Sequence, residues 1–67
     1  MHAPPHNFPY GIFVEAPNDL ESLQAMALRF DRHFEMSFRD NGVEFRFTNR
    51  MAAVMFILIS GGRSARD

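Results

Sequence analysis

The stretch FEMSFRDNGVEFRF, running from Phe34 to Phe47, decides how the chain is read. Apolar and polar residues alternate on both sides of Asp40-Asn41-Gly42, which is the strongest local signature of a β-hairpin. If Asn41-Gly42 forms a two-residue type I′ loop, both residues take positive φ, which Asn and Gly tolerate best. The strands then pair Phe38 with Phe45, Met36 with Phe47, Arg39 with Glu44 and Ser37 with Arg46. One face of the hairpin is aromatic, and the other carries opposite charges in register.

Upstream, Tyr10 to Ala16 reads as a strand in which Tyr10, Ile12 and Val14 alternate with Gly11, Phe13 and Glu15. Pro17 ends it. Asn18, with Glu21 three residues on, resembles a capping box, and a helix is expected from Asp19 to Arg32. Leu20, Leu23, Ala27 and Phe30 share its apolar stripe, with Met26 beside them. Arg29, Arg32 and His33 complement the negative end of its dipole.

Downstream, Thr48-Asn49 can cap a further element, RMAAVMFILIS, which stops at Gly61-Gly62. Met-Ala-Ala and the glycine stop favour a helix, whereas Val54, Phe56, Ile57 and Ile59 favour a buried strand. Periodicity does not choose between them because the run is apolar on nearly every side. The helix is taken as the reading.

These elements give an α+β domain with the order β-α-β-β-α, a truncated ferredoxin-like arrangement. Its sheet is expected to be mixed and three-stranded, in the order 1-3-2, with the first strand parallel to the third and both helices on one face. The first strand is then a free edge. The expected core comprises Ile12, Val14, Leu20, Leu23, Ala27, Phe30, Met36, Phe38, Phe45, Phe47, Val54 and Leu58. Residues 1–9, with three of the four prolines, are expected to form an extended arm that Phe8 and the adjoining Tyr10 pin to the core or a partner. Residues 10–62 form the single domain, and 63–67 a polar tail.

Composition bounds the function. Sixty-seven residues make one domain with a marginal core. The absence of cysteine removes disulfides, thiolate zinc sites and cysteine nucleophiles together. Seven basic residues, all of them Arg, against eight acidic ones give no basic stripe for DNA or RNA. His2 and His6 are separated by Pro4 and Pro5, which forbid the helix that would bring them together on a metal. No glycine-rich phosphate loop is present, and His33 reads as a helix-end cation. The longest apolar run, Met51 to Ile59, falls short of the ~20 residues that cross a bilayer, and no signal peptide is visible. The expectation is a soluble cytoplasmic protein without catalytic residues, metal or cofactor.

Apolar residues make up 46% of the chain, and eight are Phe. That is more apolar surface than so short a chain encloses, so a protein partner or self-association is expected. The final helix shows apolar side chains round most of its circumference, with Met55, Phe56 and Ile59 extending the patch. The open sheet face presents Phe13, Arg39 and Arg46, residue types that anchor protein interfaces. The expected partner-binding residues are therefore Phe13, Arg39, Arg46, Met55, Phe56 and Ile59. The expected function is a small non-enzymatic protein–protein interaction module that forms a homodimer and binds a larger protein. In style it resembles short phage or bacterial accessory and inhibitory proteins. Single-stranded nucleic-acid binding by the sheet face, and a regulatory domain binding a small molecule, are the alternatives.

Overall fold

The computed structural model describes residues 10–65. The expected arm at residues 1–9 and the last two residues of the expected tail lie outside that range. Six elements follow one another: β1 (Tyr10–Glu15), α1 (Leu20–Phe30), β2 (Glu35–Arg39), β3 (Gly42–Phe47), α2 (Arg50–Ser60) and β4 (Arg63–Ser64). The fold is α+β, with two helices and a four-stranded open sheet in the order β2-β3-β1-β4.

Two expectations about the sheet are corrected. The sheet is antiparallel throughout, not mixed. A crossover through α1 sets β1 parallel to β2, and the hairpin turn then reverses β3 between them, so β3 opposes both. The sheet also has four strands: Arg63 and Ser64, read as tail, pair with Phe13 and Ile12. Ala65 N–H adds a bond to the Gly11 carbonyl at 2.7 Å. β1 is thus not a free edge.

The hairpin forms, with its register displaced by two residues. Phe38 faces Val43, Met36 faces Phe45, Ser37 faces Glu44 and Arg39 faces Gly42, so the loop is Asp40-Asn41. Neither loop residue has positive φ, so the turn is not type I′. The third strand supplies the reason. Gly42 lies between Arg39 of β2 and Glu15 of β1, and a Cβ there would stand 2.3 Å from the Val14 carbonyl oxygen. Gly42 is needed for close approach of β1, and it serves inside the strand and not in the turn. Because the displacement is an even number of residues, every side chain keeps its expected face.

α1 is shorter than expected at both ends. Its cap is Asp19 and not Asn18: the Asp19 carboxylate accepts from Ser22 N–H at 3.1 Å and from the Ser22 hydroxyl at 2.8 Å. These two bonds hold the Asp19 carboxyl below its ordinary pKa. The helix stops at Phe30 because Asp31 turns to extended backbone and its side chain goes elsewhere. Asp31 Oδ1 accepts from His33 N–H (2.9 Å); Oδ2 accepts from Thr48 N–H (2.7 Å) and the Thr48 hydroxyl (2.8 Å). Burial pushes this carboxyl up, but the N–H groups of His33 and Thr48, the Thr48 hydroxyl and the charge of His33 together hold it below the ordinary value of 3.8.

α2 is a helix, capped by Asn49, whose side chain accepts from Met51 N–H at 2.7 Å. It ends at Gly61, which adopts the left-handed conformation at φ 73°. The core side of the sheet presents Ile12, Val14, Val43, Phe45 and Phe47 to Ala27 of α1 and to Ala52, Ala53 and Phe56 of α2. Phe56 sits 4.6 Å from Phe45 and 5.2 Å from Phe47, centroid to centroid. Phe34 closes the cluster at 6.0 Å from Phe45.

Three expected core residues lie outside. Phe38, on the edge strand, is 68% exposed, and Val54 and Leu58 face solvent. α2 sets its small residues against the sheet, where Ala52 and Ala53 let the helix approach closely enough for the Phe56 ring to fill the remaining space. The bulkier aliphatics are thereby turned outward.

Candidate interaction surfaces

Two surfaces carry five of the six expected partner-binding residues. The first is the sheet face away from the helices. Alternation along β1, β2 and β3 directs Phe13, Arg39, Glu44 and Arg46 to it. Glu44 is its organising group. Although it is on the open face, it is only 5% exposed, because two arginines close over it. Arg39 Nε donates to Glu44 Oε1 at 3.1 Å, and Arg46 Nε lies 2.9 Å from Oε2. Arg39 reaches Glu44 diagonally across the hairpin, since its direct partner is Gly42. Gly11 makes room for this triad: a Cβ there would stand 2.9 Å from Glu44 Oε2 and 3.2 Å from the Arg46 guanidinium carbon.

β4 completes the surface. Arg63 is paired directly opposite Phe13 and lays its guanidinium over the ring, 5.2 Å from the centroid. Phe13, Arg39, Asn41, Glu44, Arg46 and Arg63 line a cleft of about 380 Å³. Its charged lining is three arginines against one glutamate. Phe13, Arg39 and Arg46 are thus brought together as the alternation implied. Arg63 was missed because a two-residue strand carries too little pattern to stand out from a polar tail.

The second surface is the outer side of α2. Met51, Val54, Met55, Leu58 and Ile59 are all exposed, Leu58 to 75% and Met51 to 64%. At 3.6 residues per turn they occupy an arc of about 140°. No charged residue lies between Met51 and Ser60. Met55 and Ile59 therefore sit where the sequence reading put them. Phe56 does not: it is fully enclosed in the core and presents nothing to a partner, because it lies on the opposite side of the helix.

Among the described residues, no group of three or more His, Asp or Glu side chains could hold a metal ion. No helix among them is long and apolar enough to cross a membrane, and none of their buried side-chain nitrogens or oxygens lacks a hydrogen-bond partner.

Comparison with protein-family models, curated proteins and solved structures finds no match.

Proposed function

We propose that the chain is a small non-enzymatic interaction module that seats an acidic segment of a larger protein on its open sheet face. The supporting observation is the cleft beside Phe13. Arg39 and Arg46 are held in place by one enclosed carboxylate, and Arg63 is held by the ring it covers. Arginines fixed in this way lose little side-chain entropy on binding, which favours affinity. Arg and aromatic residues are also the types that dominate binding energy at protein interfaces. The excess of positive charge in the lining selects carboxylate-bearing partners. The element order and strand order support a complete ferredoxin-like fold, in which this face is the one left free by both helices. An accessory or inhibitory role, exerted by occupying a site on a larger protein in the cytoplasm, fits a module of this size.

A peptide array varying acidic and aromatic content tests the reading. Acidic peptides should be retained by the wild-type chain, and Phe13→Ala or Arg63→Glu should abolish retention while leaving the circular dichroism spectrum unchanged. Equal retention of neutral and acidic peptides would sink it. Labelled oligothymidylate serves as the contrast. Retention of the oligonucleotide as strong as that of the acidic peptides, falling steeply with salt, would show that the face reads negative charge alone and favour the nucleic-acid alternative.

A further inference from the structure

From the bare outer side of α2, we infer that two copies of this chain associate through their second helices, packed antiparallel about a two-fold axis between Val54 and Met55. This inference is independent of the sheet-face reading and uses none of its residues.

Two observations select a second copy as the occupant, and a third bounds the strength of the contact. The first is spacing. Met51, Val54 and Leu58 are separated by three and then four residues, the repeat with which one helix packs along another. Their order is close to symmetric about the helix middle. A two-fold axis there sets Met51 against Leu58 of the second copy and Val54 against its Met55, so a single patch is its own complement.

The second observation is charge. The patch contains none, so self-pairing buries no like charges. Arg50, at the start of α2, is exposed at its rim. α2 has no acidic residue in its first turn and no basic residue in its last, so both ends of its dipole go uncompensated by its own side chains. Antiparallel packing carries Arg50 of each copy to the C-terminal carbonyls of the other helix, where a cation is favourable. Parallel packing would instead bring the two Arg50 side chains together.

The third is area. Five side chains exposed to this extent form a patch on the order of a few hundred Å², comparable with the largest apolar patches of monomers, which are often functional. It is smaller than the ~800 Å² per partner of a standard stable interface. The contact therefore belongs to the weak, transient class of interfaces.

Because the chain has no cysteine, introduced thiols report the geometry without background. Under mild oxidation, Val54→Cys should cross-link to itself, and Met51→Cys should cross-link to Leu58→Cys when the two are mixed. Leu58→Cys alone should not, since its two copies lie about seven residues apart along the axis, roughly 10 Å. In sedimentation equilibrium, wild type should pass from one to two chain masses across the micromolar range. Leu58→Glu should raise the dissociation constant by on the order of 100-fold, because it places a charge in a desolvated seam. Arg50→Glu should weaken the dimer several-fold while raising the urea midpoint of the dilute monomer through the dipole of α2, a pair of opposite effects that general unfolding would not produce.

A wild-type chain that remains monomeric at several hundred micromolar would overturn the inference and leave the acidic-peptide result unaffected. Self-cross-linking of Leu58→Cys, or a dimer unmoved by Leu58→Glu, would overturn the geometry.

Discussion

Asp31 and Thr48 are seventeen positions apart, yet the carboxylate of one accepts both the backbone N–H and the hydroxyl of the other. The contact fastens the end of α1 to the end of β3, one residue before the Asn49 cap of α2. Helix termination, strand end and the start of the second helix are thereby held at one point. Replacing Asp31 with Ala strands the N–H groups of Thr48 and His33 and should cost about 2–3 kcal/mol. Thermal melting of the two proteins measures it, with the midpoint expected to fall by roughly 10–20 °C.

The same carboxylate gives the fold an acid limit. Its folded pKa lies below the ordinary 3.8, so between the two values the unfolded chain binds more protons, and stability rises with pH. The contribution is complete above about pH 5 and is lost as pH falls through the folded value. Urea midpoints taken from pH 2 to 6 should fall toward low pH for wild type. Asp31→Asn should show a shallower fall.

Gly42→Ala tests the origin of the hairpin register. The new Cβ would stand 2.3 Å from the Val14 carbonyl oxygen and 2.6 Å from the Phe13 ring, so the backbone of β1 has to move. A loss of about 1–3 kcal/mol is expected, typical of overpacking. Were Gly42 needed only for turn conformation, Asn would substitute for it well; with β1 in the way, Gly42→Asn should be at least as damaging as Ala in chemical denaturation.

Ala16 is the one non-glycine residue among those described with positive φ, at 42°. It leads from β1 into Pro17, and its N–H bonds to the Asn41 carbonyl at 3.0 Å. A side chain is unfavourable in that backbone region. Ala16→Gly should therefore stabilise the protein by up to about 1 kcal/mol. An unchanged or lower denaturation midpoint would contradict the strain.

Phe56 and Phe38 have opposite burial. Phe56→Ala should cost about 3–5 kcal/mol, the range for a core aromatic, enough to unfold much of a domain this small. Phe38→Ser, on the exposed edge strand, should change stability by no more than about 0.5 kcal/mol. Urea titration of the two variants separates them.

The parts legible in the sequence are those that local chemistry determines. Alternation around Asp40-Asn41-Gly42 located the hairpin, and its period of two assigned Phe13, Arg39, Glu44 and Arg46 to one face even though the register moved. Asn49 and Gly61 marked the limits of α2. The rest depends on neighbours distant in sequence. The hairpin register follows from β1 crowding Gly42, and the limit of α1 from Thr48 drawing Asp31 away. The inward side of α2 could not be read because nearly every position from Met51 to Ile59 is apolar; residue size, through Ala52 and Ala53, decided it. β4 was invisible because two residues make no pattern, and with it went Arg63, a wall of the candidate site.

That short strand also makes the cleft separable from the core. Every large buried side chain among the described residues belongs to residues 12–56, whereas the guanidinium over Phe13 comes from a two-residue strand beyond them. Fraying of β4 from β1 would strip one wall from the cleft and leave the aromatic cluster closed, so the site can open and re-form without the domain unfolding.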